Sequence, residues 1–266
     1  MPFIEVNGGS LFYTDEGSGD PCLLLIHGWT CDSHDWSWQL ESFAHHHRVI
    51  AADNQGHGRS GITTGEFTPR SFAKDLVSLV EDLRAGPVVA VGHSIGGAIA
   101  SVLAVDHPDL VRALVVVDPA YGVDGERAEL IARVLAGLRG PLGVDALEEA
   151  FHGLEVPGTP PPLRTWHRRR ALGTKWEVVV DTLARNYEGQ EQFGQRAESE
   201  KYLRGRQCPM LAIYASPDRA AWEATILRHP YSRHLSLEGS GHWLHQERAD
   251  EFNALVLDWV DGLPDA

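Results

Sequence analysis

Four short apolar runs alternate with amphipathic stretches through the first half of the chain, and this alternation constrains the fold more than any other feature. The runs are Cys22–Ile26, Val49–Ala52, Val88–Val91 and Ala113–Val117. Continuous apolar runs of this length are typical of strands buried on both faces, as in parallel sheets. Between them, apolar residues recur at helical spacing, as from Phe72 to Leu83. The pattern predicts an α/β fold, in which helices cover a mostly parallel sheet.

Four further strands are predicted nearer the two ends of the chain, which brings the sheet to eight. Phe3–Val6 and Leu11–Thr14 flank the turn residues Asn7-Gly8-Gly9, as in an antiparallel hairpin. Met210–Tyr214 and Arg233–Leu237 are the last two predicted strands. An apolar helical stripe from Phe252 to Val260 follows them and is expected to pack on the sheet.

Residues 120–205 have a different character. Their pattern is helical, it is interrupted by the proline-rich segment 156–162, and it contains no good strand. A chain of 266 residues is long enough for one core that carries an insertion. We therefore expect an α/β core in two parts, 1–119 and 206–266, with a helical cap at 120–205.

Charge and composition exclude several classes of partner. The formal net charge of −14 opposes binding to nucleic acid or to an anionic membrane surface. Cys22, Cys31 and Cys208 are odd in number and have no paired spacing, which favours reduced thiols. The N-terminus has no secretory pattern, and no long apolar run occurs. We expect a cytoplasmic monomer or homodimer that acts on a small-molecule substrate.

The strongest chemical signal is Gly92-His93-Ser94-Ile95-Gly96, which lies between a predicted strand and a predicted helix. A G-x-S-x-G sequence in that context is typical of a sharp turn that exposes a nucleophilic serine. Small residues on both sides are needed because the turn is strained and crowded. Ser94 is therefore the predicted nucleophile.

A serine hydroxyl needs a general base, and the chain has 14 histidines to choose from. His242 follows the last predicted strand, at the sheet edge where Ser94 also emerges, and is the predicted base. The run His45–His47 resembles a solvated loop, and His93 is expected to pack or bond locally. His245 lies one helical turn after His242. It either supports the site or has no part in it.

The base needs a buried carboxylate that fixes its tautomer. Asp218 follows the strand Met210–Tyr214 by four residues and gives the chain order serine, aspartate, histidine. Asp118, at the end of the preceding strand, is the alternative. The sequence reading favours Asp218 and leaves Asp118 as a strand-end cap or alternative orienter.

Acyl transfer also needs donors for the developing oxyanion. The backbone N–H groups of Ile95, after the nucleophile, and Trp29, after the third strand, are the predicted donors. The substrate pocket is expected to involve the side chain of Trp29 and aromatic residues of the cap, among them Phe151, Trp166 and Trp176. This chemistry requires neither a metal nor a cofactor, and none is predicted.

Taken together, Ile26-His27-Gly28-Trp29, the segment 53–60, the Ser94 turn, Asp218 and Gly241-His242 resemble the bacterial capped α/β-hydrolases. The resemblance covers nearly the whole core. It implies a catalytic triad, an oxyanion hole and a mobile helical cap. A serine nucleophile argues against the dehalogenase and epoxide hydrolase branches. We expect a serine hydrolase that acts on a small carboxylic ester or lactone through an acyl-enzyme.

Three other functions stay open. The arginines 164, 168, 169 and 170 could attract a carboxylate-bearing substrate, as in carbon–carbon bond hydrolases, although a solvated helix face is the simpler interpretation. Gly28-Trp29-Thr30-Cys31-Asp32 also resembles a loop of the cofactor-independent quinolone 2,4-dioxygenases, which use a histidine and an aspartate at the position of Asp118. The third possibility is a ligand receptor with a slow triad.

Overall fold

A computed structural model describes residues 2–63 and 65–264 and shows one eight-stranded sheet. Its spatial order is β1-β2-β4-β3-β5-β6-β7-β8. The strands are β1 Phe3–Val6, β2 Gly9–Glu16, β3 Leu23–Ile26, β4 Val49–Ala52, β5 Val88–His93, β6 Val111–Val117, β7 Met210–Tyr214 and β8 Arg233–Ser236. Strands β3 to β8 pair in parallel, whereas β2 pairs antiparallel with both β1 and β4. The predicted α/β sheet is therefore confirmed.

Eleven α-helices occur in the described part of the chain. They are α1 Ser37–Ala44, α2 Pro69–Asp82, α3 Ile95–Asp106, α4 Gly125–Leu138, α5 Gly143–Leu154, α6 Pro161–Gly173, α7 Trp176–Tyr187, α8 Arg196–Leu203, α9 Pro217–Ala224, α10 Leu244–Glu247 and α11 Ala249–Asp261. None of these helices is long and apolar enough to cross a membrane.

Two apolar cores lie on opposite faces of the sheet, because alternate residues of each buried strand point to opposite sides. On one face, β-strand residues such as Leu24 and Val116 pack with α2 and α3. On the other face, Leu25 and Val115 belong to the core that contains Phe252 and Trp259 of α11. This double burial explains why the central strands are apolar without interruption.

Helices α4 to α8 lie between β6 and β7 in the chain, and we call residues 119–209 the helical insertion. No strand of the main sheet occurs within it. Its aromatic and aliphatic residues, including Phe151 and Val178, belong to the same core as the sheet face that α3 covers. The insertion is thus seated directly on the carboxyl ends of the strands, where ligands bind in open α/β sheets.

Candidate active site

Ser94 lies in the turn between β5 and α3, and its backbone adopts a left-handed φ of 55°. The turn is tight enough to require glycine on both sides. A Cβ at Gly92 would lie 2.1 Å from the carbonyl oxygen of Gly96, and a Cβ at Gly96 would lie 2.1 Å from that of Ile26. A strained backbone at a non-glycine residue is characteristic of functional sites, and here it presents Ser94 at the sheet edge.

The loop after β3 passes directly beside this turn. A Cβ at Gly28 would lie 3.0 Å from the Cβ of Ser94 and 3.1 Å from Nδ1 of His93, so a larger residue would be tightly packed here. His27 Nδ1 donates to the carbonyl of Gly28 at 2.8 Å, and Thr30 has a left-handed φ of 55°. Within residues 2–63 and 65–264, the N–H groups of Trp29 and Ile95 have no hydrogen-bond acceptor. Two free amide donors therefore flank Ser94.

His242 is paired with Asp118 and not with Asp218. The Nδ1 atom of His242 lies 2.6 Å from Oδ2 of Asp118, and both side chains are nearly buried. Asp118 follows β6 directly and has a left-handed φ of 38°. Since a carboxylate accepts, His242 donates from Nδ1 and keeps a lone pair on Nε2.

The sequence-based preference for Asp218 was wrong. Asp218 is exposed in the first turn of α9, and its side chain makes no hydrogen bond with the described residues. The next residue, Arg219, points inward instead: its Nη1 lies 2.7 Å from Oδ1 of Asp118, and its Nη2 donates to the carbonyls of Pro119 and Tyr121. The chain after β7 therefore supplies a cation that holds the carboxylate, while β6 supplies the carboxylate itself.

Ser94 and Asp118 are also joined through the backbone. The N–H of Ser94 donates to the carbonyl of Val117 at 3.0 Å, and the N–H of Ala120 donates to the carbonyl of Ser94 at 2.9 Å. The side chain of His93 bonds the carbonyl of His242 at 3.0 Å. These contacts gather the serine, the histidine and Asp118 at one edge of the sheet.

The electrostatics of the pair favour a neutral histidine and an ionised aspartate. Burial lowers the pKa of His242 to about 4, against the opposing effect of the hydrogen bond to Asp118. Burial alone would raise the pKa of Asp118, but Arg219 and His242 outweigh it and leave the pKa well below its usual value. At neutral pH, His242 is therefore available to accept a proton.

A buried polar cluster lies behind His242. Among the described residues, one group could hold a metal ion: Asp35, His93 and His245, whose ligand atoms lie within 4.8 Å of one another. Asp35, however, already accepts from Arg170 at 2.5 Å and from Gln246 at 2.7 Å. Because the Arg170 guanidinium pairs with this buried carboxylate, the negative charge of Asp35 is balanced by the protein itself.

This cluster also explains two predictions about histidines. His93 is buried, in agreement with the expected packing, but its ring bonds the backbone of His242, a residue distant in the chain, and not a local group. His245 is fully buried, with Nε2 at 3.9 Å from Asp35, and its ring contacts that of His93 at a centroid distance of 4.5 Å. His245 thus supports His93, which in turn contacts the loop of His242.

The arginines of α6 are mostly engaged in ion pairs. Arg164 lies 3.6 Å from Glu155, Arg168 pairs with Glu148, and Arg170 pairs with Asp35. Only Arg169 of the four has no such partner among the described residues. The arrangement gives no support to a carboxylate site built from this run.

Two of the four aromatic residues predicted for the pocket come together. Trp29 and Phe151 have ring centroids 5.8 Å apart, and Nε1 of Trp29 donates to the carbonyl of Val179 in α7. Trp166 instead packs on Trp38 at 5.0 Å. Trp176 is 40% exposed and lies against Gly143, so neither it nor Trp166 belongs with this pair.

Sequence reasoning missed Arg219, Asp35 and Glu247, each of which holds part of the site. Arg219 binds Asp118, and Asp35 anchors the cluster behind His242. Glu247 accepts from the N–H of Gly241 at 2.6 Å. Only Glu247 carried a usable signal, because it lies one short helix after His242 and a carboxylate there can bond the loop.

Comparison with known proteins agrees with the fold. Residues 23–255 match the model of the alpha/beta hydrolase family, and the chain belongs to that family. An (E)-2-((N-methylformamido)methylene)succinate hydrolase of Acinetobacter baylyi is 23% identical over 97% of both chains.

Two solved structures have the same fold over nearly the whole chain. An enol-lactonase from Burkholderia xenovorans has a TM-score of 0.82 with 23% identity, covering 98% of this chain and 100% of its own. A protein described as recognising and cleaving the ring of the Pseudomonas quinolone signal has a TM-score of 0.84 with 20% identity, covering 98% and 100%.

Proposed function

We propose that the protein is a serine hydrolase that cleaves a small carboxylic ester or lactone through an acyl-enzyme on Ser94. His242 is the general base and Asp118 orients it. The observation that carries this proposal is the 2.6 Å bond between His242 and Asp118 at the sheet edge where Ser94 occupies its strained turn. Residues in these three roles are what acyl transfer to a serine requires.

In the first half-reaction, Nε2 of His242 takes the proton of the Ser94 hydroxyl while Oγ attacks the substrate carbonyl carbon. The negative oxygen that forms is stabilised by the free N–H groups of Trp29 and Ile95, each worth ~3 to 4 kcal/mol in comparable sites. Collapse breaks the bond to the alcohol oxygen, which receives the proton from His242. The acyl group remains on Ser94.

In the second half-reaction, His242 takes a proton from water, whose oxygen attacks the acyl carbon. The bond to Ser94 breaks, Oγ recovers the proton, and the carboxylic acid leaves. A lactone reacts in the same way and yields a single hydroxy acid. Arg219 keeps Asp118 ionised throughout, so that the imidazolium formed in each half-reaction faces a full negative charge.

The similarity of the chain to a hydrolase over its full length, and its fold likeness to an enol-lactonase, favour this chemistry over a receptor function. The test is labelling with a fluorophosphonate, which reacts with activated serines, followed by mapping of the adduct. We expect one adduct, on Ser94, and loss of ester hydrolysis in Ser94→Ala. Ser78→Ala, a serine of α2 bonded to the carbonyl of Lys74, is the control and should keep full activity. An adduct elsewhere, or none, refutes the proposal.

A second candidate is a cofactor-independent dioxygenase that uses only His242 and Asp118. It is favoured by the position of the carboxylate after β6, which is where the resemblance to quinolone dioxygenases requires it, and by the fold likeness to the protein that cleaves the quinolone signal. In this reaction the base deprotonates an aromatic substrate, which then combines with dioxygen. Ser94 need not form a covalent bond.

Isotope labelling separates the two candidates. A hydrolase incorporates one oxygen from labelled water into the acid product, works without dioxygen, and fails in Ser94→Ala. A dioxygenase consumes dioxygen in step with product, releases carbon monoxide from a quinolone, and retains substantial turnover in Ser94→Ala. Short-chain esters, lactones and quinolones should therefore be screened with mass detection of both product and oxygen label.

A further inference from the structure

The loop that carries His242 is held largely from outside the sheet. The N–H of His242 donates at 2.9 Å to the carbonyl of Leu154, the last residue of α5 in the helical insertion. The ring of Trp243 stacks on His167 of α6 at a centroid distance of 3.9 Å. The carbonyl of His242, by contrast, is bonded by His93 of the core. The base therefore lies between the core and the insertion.

Glu247 adds a second link between this loop and the insertion. Its Oε2 accepts from the N–H of Gly241 at 2.6 Å, and its Oε1 accepts from the hydroxyl of Thr159 at 2.6 Å. Thr159 lies in the proline-rich segment and is buried, and its hydroxyl also accepts from the N–H of Val156 at 3.0 Å. One carboxylate thus joins the residue before His242 to the insertion.

The fit around this carboxylate is close. A Cβ at Gly241 would lie 2.8 Å from Oε1 of Glu247 and 3.0 Å from the carbonyl of Leu154. Glu247 is half-buried and has no cationic partner among residues 2–63 and 65–264. Burial raises the pKa of the nearby Glu155, and the charge of Glu247 adds to that effect. A partly buried carboxylate needs hydrogen-bond donors, and those that Glu247 has come from Gly241 on one side and Thr159 on the other.

We propose that Thr159 and Glu247 are positioning residues that make the placement of His242 depend on the seating of the helical insertion. With the insertion seated, Leu154 and the Thr159–Glu247 pair hold the amides of His242 and Gly241, and Nε2 stays aligned with Ser94. When the segment around Leu154 and Thr159 lifts, both amides lose a partner and the base loses its alignment. Catalysis is thereby confined to the closed state. This inference rests on the proposed role of His242 as general base.

The test compares Thr159→Val, which removes the hydroxyl at nearly constant volume, with Thr159→Ser, which retains it. Thr165→Val is the matched control, because Thr165 is an exposed threonine of α6 that makes no hydrogen bond with the described residues. Each variant is assayed for kcat and KM on one chromogenic ester. Deuterium exchange of the peptide that contains Gly241 and His242 is measured by mass spectrometry without substrate.

We expect Thr159→Val to lower kcat about tenfold, the loss typical of one hydrogen bond to a charged group, with KM changed less than twofold. Exchange in the 241–242 peptide should rise several-fold. Thr159→Ser should recover most of both effects, and Thr165→Val should match wild type. Glu247→Gln should resemble Thr159→Val, and the double variant should cost no more than the worse single variant, since both act through one bond.

The outcomes separate this inference from the proposed function. If exchange and kcat are unchanged in both Thr159→Val and Glu247→Gln, the positioning role is refuted. If exchange rises while kcat stays at the wild-type value in an enzyme that Ser94→Ala inactivates, the link between the insertion and the base is refuted and the hydrolase proposal stands. If Ser94→Ala retains turnover, the hydrolase proposal fails, and the exchange data still decide whether Thr159 and Glu247 hold the loop. If Thr159→Val does not fold, Glu247→Gln carries the same comparisons.

Discussion

Replacing Asp118 by asparagine is the substitution that best separates the observed site from the one the sequence favoured. Asparagine keeps the size of the side chain but removes the charge that faces Nδ1 of His242 at 2.6 Å. Loss of such an orienting carboxylate costs about 10⁴ in turnover, because the histidine adopts the wrong tautomer and its imidazolium is no longer stabilised. A factor of 10⁴ corresponds to about 5 kcal/mol in the activation barrier.

The same substitution also affects stability. Arg219 loses the carboxylate 2.7 Å from its Nη1 and keeps only carbonyl partners, while its side chain is 10% exposed. Removing one partner of a buried ion pair typically costs 3 to 5 kcal/mol, compared with a total stability of about 5 to 15 kcal/mol. Asp118→Asn should therefore fold at 25 °C with a clearly lower Tm, and turnover must be expressed per folded molecule.

The matched control is Asp218→Asn. Asp218 is exposed in the first turn of α9, where a negative charge contributes at most about 1 kcal/mol through the helix dipole. Its turnover should stay within twofold of wild type. The assay is hydrolysis of one chromogenic ester, together with the rate of fluorophosphonate labelling of Ser94. A severe loss in Asp218→Asn with a mild loss in Asp118→Asn would show that the pairing at Asp118 has no catalytic meaning.

Three further predictions follow from burial and close packing. Because burial lowers the pKa of His242 to about 4, kcat/KM plotted against pH should fall on the acid side with a midpoint near that value. A midpoint near ~6.5, the ordinary histidine value, would contradict the burial of His242. His57 and His167, with pKa values lowered to about 3 and about 4, bind protons in the unfolded chain before they do in the folded one. Stability should therefore be nearly constant between pH ~7 and ~8 and fall as the pH drops below ~6.5, by about 1.4 kcal/mol per histidine at pH 5.5. Denaturant titrations at three pH values between ~5.5 and ~8 measure this, and a flat profile would contradict it. Gly92→Ala places a Cβ 2.1 Å from a backbone oxygen and should lower the free energy of unfolding by about 3 kcal/mol or prevent folding. Gly153→Ala in α5 meets no atom within 4 Å and should raise that free energy by up to about 1 kcal/mol. Equal unfolding midpoints for the two variants would refute the packing argument.

The strands could be predicted from the sequence because burial on both faces leaves a direct trace in composition. Val49–Ala52 and Met210–Tyr214 are observed with the predicted bounds. β2 was predicted as Leu11–Thr14 but runs from Gly9 to Glu16, because its neighbours β1 and β4 extend the ladder over polar residues such as Asp15. Pairing partners, and not local composition, decide where such a strand ends.

The carboxylate partner of His242 could not be decided in the same way. Asp118 and Asp218 both follow buried strands, and both precede His242 in the chain. Two features distinguish them. The backbone at Asp118 is left-handed, which no local preference predicts for an aspartate before Pro119, and Arg219 points inward to bind Asp118. Both are tertiary features, so the sequence could list the two candidates but could not rank them correctly.

Under the proposed positioning role, one part of the site is held by the sheet and another part by the helical insertion. Ser94 and Asp118 follow the adjacent parallel strands β5 and β6, and the backbone of Ser94 is bonded to Val117 and Ala120, which lie on either side of Asp118. His242 lies on a separate loop whose two amides are bonded by Leu154 and Glu247. Under the proposed roles, a displacement of the insertion would change the position of His242 relative to Ser94 and Asp118, which the sheet holds. Had the carboxylate come from Asp218, it would lie in α9 after β7, one strand further from Ser94, because β6 separates β7 from β5.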